Sequence, residues 1–100
     1  MSSITELKNY VDHDEFIKNS PKAVIFFGSV YCGHCREITP LFKQLSRQNP
    51  SVSFAHIETS EVEVENVSGV PVFVAYKSGV PVEIVLGSKK DKLESMVKKM

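Results

Sequence analysis

The sequence predicts an α/β sandwich, a central mixed β-sheet flanked by helices on both faces. Three observations lead there. Ala23 to Phe27 is an unbroken apolar run closed by Gly28, as in a strand covered on both sides. Directly after it, Ile38, Leu41, Phe42 and Leu45 recur at i, i+3, i+4 and i+7, one face of an amphipathic helix from Gly33 to about Gln48. Further apolar runs, at Val52 to Ile57, Val72 to Tyr76 and Val82 to Leu86, then supply strands to the same sheet.

Taken in order, the chain opens its first helix where Asp12 and Glu15 resemble a capping box, with Phe16 and Ile17 as apolar contacts before Asn19, Ser20 and Pro21 stop it. Asn49 and Pro50 end the long second helix. Inside that helix Pro40 has two readings: a kink in one continuous helix, or the start of a fresh one capped by Thr39. Ser78 and Gly79 join the last two strands as a hairpin. A closing helix from Lys89 to Met100 repeats the helical spacing at Leu93, Met96, Val97 and Met100, with Ser88 as its N-cap.

Two stretches are less regular. Glu58 to Glu65 carries acids and no base; its period of two suits a strand, its position a short helix, and a solvated face is the simplest account. Ser-Gly-Val-Pro-Val stands at Ser68 to Val72 and again at Ser78 to Val82, turn chemistry reused at two strand starts or a coincidence.

A length of 100 residues with 42% hydrophobic content fits one globular domain over 1–100, large enough for a core without structural metal. Twelve Lys and Arg against twelve Asp and Glu leave no basic field for nucleic acid. No apolar run approaches the roughly 18 to 20 residues of a membrane helix. Met1 to Tyr10 lacks the apolar stretch of a secretory signal, and Lys98, Lys99, Met100 is not a retrieval sequence, so a cytoplasmic location is expected. A mature form with its signal removed would read the same.

The chemistry is concentrated at Cys32, Gly33, His34, Cys35, between the central strand and the long helix. A disulfide across two residues closes too small a loop to constrain the unfolded chain much. Zinc wants four ligands, and His13, His34 and His56 have no finger spacing to the two thiols. No metal or organic cofactor is therefore expected. Redox chemistry does explain the spacing. A thiol on the first turn of a helix meets unpaired N–H groups and the positive dipole end, both favouring thiolate, which assigns attack to Cys32. Cys35, one turn along and facing inward, can then resolve a mixed disulfide. His34 is either a solvent-exposed turn residue or, when protonated, a stabiliser of thiolate that makes the disulfide more oxidising.

With these residues in place, the chain resembles the thioredoxin superfamily, and its Cys-Gly-His-Cys motif is similar to that of protein disulfide isomerase domains. The likeness spans nearly the whole chain: the apolar strand before the motif, Pro40, Gly69-Val70-Pro71 before a strand, Gly79 in the hairpin and Gly87 before the last helix. It implies a thioredoxin-like fold and a cis peptide before Pro71. It also implies that the Val70 backbone pairs with an extended substrate strand, with Tyr31, Gly33 and Pro71 beside it. Pro81 carries no such expectation and suits the start of an edge strand.

The chain departs from that pattern where the superfamily commonly keeps a buried acid, here Phe26, and a partner lysine, placed by the same alignment at Phe54. Tyr31 stands where tryptophan is usual, and the connection from Glu58 to Val70 is short. Without the acid, Cys35 must lose its proton by other means, through Glu37, Glu58 or water.

The resemblance implies a thiol-disulfide oxidoreductase acting on protein disulfides or dithiols, most simply a general reductase, re-reduced by a flavoenzyme of the thioredoxin-reductase kind or by glutathione. A monomer is expected. An oxidase or isomerase, which His34 favours, is the variant within this class. A peptide-binding module using the Val70-Pro71 groove, without redox turnover, is the reading outside it.

Overall fold

The computed structural model describes residues 4–62 and 69–100. Its elements run β1 (Ile4–Leu7), α1 (Tyr10–Lys18), β2 (Lys22–Gly28), α2 (Gly33–Gln48), β3 (Ser53–Glu58), β4 (Val72–Lys77), β5 (Val80–Leu86) and α3 (Lys90–Lys98). They build a five-stranded sheet in the order β1-β3-β2-β4-β5. β1, β3 and β2 are parallel, while β4 and β5 run antiparallel to their neighbours. The apolar run from Ala23 to Phe27 lies in the middle strand, buried at every position, as its composition requires.

Because side chains alternate across a strand, the sheet separates two apolar layers. Val24, Phe26, Phe54, Phe73 and Val85 face α2 and α3, where they meet Ile38, Phe42, Leu45, Leu93 and Met96. Ala23, Ile25, Phe27, Ile57, Val72 and Val74 face the other way, with Phe16 and Ile17 of α1 packed against them. Helices therefore cover both faces, and none of the described helices is long and apolar enough to cross a membrane.

Helix α2 is continuous through Pro40, which settles the two readings of that residue in favour of one helix. The β4–β5 turn places both Ser78 (φ 52°) and Gly79 (φ 80°) in the left-handed region, the geometry of the tightest hairpins. Pro81 stands in the edge strand β5, where a missing N–H is tolerated.

Several local expectations are corrected. The cap of α1 is Asn9, whose side chain accepts the Asp12 N–H at 2.8 Å; Asp12 in turn accepts the Lys8 N–H at 3.2 Å, so the reciprocal pair sits three residues earlier than the Asp12–Glu15 spacing suggests. Helix α3 begins after Lys89, without a side-chain cap, rather than after Ser88. Strand β1 carries no strand signal in its own sequence. Its four residues do not alternate in burial, and its pairing partner β3 lies some fifty positions away.

Register adds what the sequence did not show. Phe26 pairs with His56, whereas Phe54 pairs with Val24 and Ile4. Phe54 therefore lies diagonally from Phe26 on the same face, in the same apolar layer, and His56 stands directly opposite Phe26. Glu58 ends β3 and is buried, so the acidic stretch is not a solvated face throughout; a turn follows in which the Glu61 and Val62 N–H groups bond the Glu58 carbonyl, Glu61 is exposed, and 63–65 lie outside the described residues.

Candidate functional site

The turn from β2 into α2 is held by four hydrogen bonds that aim backbone groups around Ser29 to Tyr31. Cys32 N–H donates to the Ser29 carbonyl at 3.1 Å, and Tyr31 N–H to Ser29 Oγ at 3.1 Å. Arg36 Nη1 donates to the Val30 carbonyl at 3.1 Å. Val30 N–H points between both carboxylate oxygens of Glu58, 3.2 Å from each. The loop that presents the cysteine motif is thus tied across the sheet to the end of β3.

Cys32 is the N-cap of α2, and its Sγ accepts the Cys35 N–H at 3.3 Å. A helix end offers N–H groups with no partner inside the helix, and one of them is directed at this sulfur, where it stabilises negative charge once the proton leaves. The same Sγ lies 3.8 Å from the Val70 carbonyl, so the cap of α2 and the residue before Pro71 meet at one atom. The Val70–Pro71 peptide is cis. Both cysteines are free thiols.

Cys35, three residues on, occupies the opposite environment. It is 2% exposed, and burial, then its bond to the Cys32 sulfur and the charges of Cys32 and Glu58, push its pKa up to about 11. Above and around Cys32 the surface is open: Tyr31 is 83% exposed, and no atom would touch a side chain added at Gly33. His34 points to solvent with its Nδ1 3.9 Å from the Glu37 carboxylate. Glu37 thereby faces His34 and is absent from the lining of the groove beneath Cys35.

That groove, of about 560 Å³, runs between α2 and strands β1 to β3; Phe26, Cys35, Thr39, Phe42, His56 and Glu58 are among its walls. Phe26 stacks on Phe73 with ring centroids 4.7 Å apart and meets Phe42 edge-on at 5.2 Å. Its ring also fills the side-chain space of Gly28, where an added Cβ would come within 2.4 Å of it. Glycine at that position is what lets an aromatic ring stand on the floor of the site.

Two features here escape a sequence-only reading: how Glu58, already a candidate proton acceptor, is held, and where His56 lies. Glu58 looked like one acid of a solvated run, yet burial pushes its carboxyl up while bonds from Ser60, Val30 and Ser29 and the neighbouring His56 outweigh that and hold it below the usual carboxylate range. His56 bonds Glu6 through Nδ1 at 2.8 Å and lies 3.8 Å from Glu58 through Nε2. The alternation of β3 could have flagged Glu58 as a charged residue next to a buried Ile57, but only the strand register brings Glu6 and His56 together. Among the described residues no group of His, Cys, Asp or Glu is arranged to hold a metal ion.

Comparison with known proteins gives one consistent answer. A family model described as thioredoxin matches residues 4–99. Thioredoxin H2 of Arabidopsis thaliana is 34% identical over 88% of this chain and 70% of its own length. Mitochondrial thioredoxin 3 of Saccharomyces cerevisiae, in its oxidized form, superposes with a TM-score of 0.91 at 29% identity, covering 97% of this chain and 95% of that one. Schistosoma mansoni thioredoxin superposes with a TM-score of 0.88 at 32% identity, over 99% and 96%.

Proposed function

The chain belongs to the thioredoxin family and is a thiol-disulfide oxidoreductase, and from that premise we propose that it is a general reductase of protein disulfides, with Cys32 as nucleophile and Cys35 as resolving thiol. The observation that carries the reading is the unequal burial of two sulfurs one helical turn apart, the outer one half-buried and capping a helix, the inner one fully buried beneath it.

In the reaction, the Cys32 thiolate attacks one sulfur of a substrate disulfide, and the other substrate sulfur leaves as a thiolate. The Cys35 thiolate then attacks Cys32 Sγ, the second substrate sulfur leaves, and two electrons have passed from the dithiol to the substrate. The Cys32–Cys35 disulfide is reopened by a flavoenzyme of the thioredoxin-reductase kind or by glutathione. Tyr31 and Gly33 offer an unobstructed rim to a folded substrate. Val70 brings a backbone carbonyl to Cys32 Sγ, beside which Pro71 has no N–H to compete, so an extended substrate segment can align there as an added strand.

The direction of reduction is supported by the relatives being thioredoxins and by the exposure of His34, whose charge is screened by water and by Glu37, which weakens its push toward an oxidase or isomerase. The fitting setting is a monomer in the cytoplasm, where dithiols are kept reduced. The test is insulin reduction by wild type and Cys32→Ser. Loss of turnover in the variant supports the enzyme; retained binding of a partner with no wild-type turnover would establish the peptide-binding module instead.

A further inference from the structure

We propose that His56 is the proton acceptor for Cys35 in the resolving step, held in the accepting orientation by Glu6 and flanked by Glu58. This rests on the reading of Cys32 and Cys35 given above and adds a residue to it.

The step needs an acceptor. Cys35 is buried, its thiol holds its proton firmly, and the ring of Phe26 beside it cannot take one. Glu37 is turned away toward His34. The groove that reaches Cys35 also reaches Glu6, His56 and Glu58, and its volume of about 560 Å³ has room for a water path between them.

The imidazole is oriented for the task. A carboxylate only accepts hydrogen bonds, so in the neutral ring the 2.8 Å contact between Nδ1 and Glu6 places the proton on Nδ1 and leaves the Nε2 lone pair to accept. Nε2 looks toward Glu58, 3.8 Å away, where a carboxylate stabilises the imidazolium that forms when the ring accepts a proton. Phe26 packs against the same ring at 5.1 Å and keeps it in place. A second groove joins His56 and Glu58 to Tyr31 and Glu61 at the surface, a way out for the proton. The other charges facing the site are Arg36 and Lys43 from α2 and Glu61 after β3.

The balance is simple. The Cys35 proton passes through water to Nε2, the Cys35 thiolate attacks Cys32 Sγ, and the departing sulfur leaves with the electron pair of the broken bond. The imidazolium then releases its proton to solvent.

The aromatic disulfide 5,5′-dithiobis(2-nitrobenzoate) separates the steps by stopped-flow absorbance: attack by Cys32 releases a first coloured thiolate, and attack by Cys35 a second. In His56→Gln the first phase should be unchanged, and the second should slow by about 10- to 100-fold at pH 7, a value in the lower part of the range for general base help. It should then rise tenfold per pH unit, converge on wild type in alkali, and recover in part with free imidazole. A second phase with wild-type rate and pH profile would overturn the proposal, as would uniform slowing at every pH without rescue. Glu6→Gln, which keeps an acceptor for Nδ1 but removes the charge, should slow the second phase and leave the first unchanged; a second phase at the wild-type rate counts against the proposal even if His56→Gln does not fold. Absence of the first phase in wild type would instead refute the assignment of Cys32.

Discussion

The rim and the floor of the site are built from adjacent residues and have opposite characters. The rim, with Val30 59% and Tyr31 83% exposed, presents Cys32 to solvent at a helix end. The floor, with Cys35 2%, Phe26 4% and Phe42 1% exposed, holds a chemically identical thiol in an apolar layer. Two residues of one type are therefore given different environments by solvent access and backbone N–H groups alone, and the proposed roles rest on that difference. Division of labour within a dithiol needs no difference in side-chain chemistry.

The sharpest way to break this contrast is to remove each sulfur in turn. Cys32→Ser should abolish both capture and turnover, a loss of several orders of magnitude of the kind seen when a nucleophile is deleted. Cys35→Ser should abolish turnover yet still capture substrate, accumulating a mixed disulfide visible on non-reducing gels. Equal capture by the two variants would erase the distinction.

Alkylation reads the same difference without mutation. With its pKa pushed up to about 11, Cys35 is thiolate to only about one part in 10⁴ at pH 7, and that fraction rises tenfold per pH unit toward 11. Limiting iodoacetamide at neutral pH should label Cys32 overwhelmingly, as read by peptide mapping, with Cys35 labelling growing as pH rises. Predominant labelling of Cys35 at pH 7 would reverse the roles.

The floor can be tested as a packed unit. Phe26→Ala should cost about 3 to 5 kcal/mol in urea unfolding, and Gly28→Ala about 1 to 3 kcal/mol because its Cβ collides with the Phe26 ring. Combined, the two should cost less than their sum, since the smaller residue at 26 makes room for the methyl at 28. Strict additivity would mean that the ring does not fill that space in solution.

The rim carries the smallest expected effect. The reduction potential, read from equilibration with glutathione buffers, should fall between those of thioredoxin and protein disulfide isomerase, about −270 and −180 mV. Replacing His34 by Pro should move it in the reducing direction by about 30 mV or less, a factor of ten in the equilibrium, because the imidazole stands in solvent. An unchanged or more oxidising value would make His34 a bystander.

Much of this architecture was legible in the sequence, and the reasons are local. An apolar run marks β2 and a 3.6-residue period marks α2, since each element's burial pattern is printed along its own segment. The two cysteines could be read for the same cause: cap position and turn spacing are properties of neighbouring residues. What could not be read depends on pairing at a distance. The placement of His56 opposite Phe26, and of Glu6 against His56, follows from the register of three parallel strands, which no single segment encodes. Glu58 was a candidate acceptor from the sequence, but its burial and its tie to the Val30 N–H were not legible, because backbone donors leave no mark in a sequence.

The tetrapeptide Gly-Val-Pro-Val at 69–72 and 79–82 has an immunological corollary. In the first copy Pro71 is fully buried and Val72 is 7% exposed; in the second, Val80 and Val82 are 60% and 53% exposed on the edge strand. An antibody raised against the free peptide would find one epitope on the folded protein, at the hairpin, and two on the denatured chain. Its binding stoichiometry would double as the fold opens, so the chain carries its own antigenic gauge of unfolding.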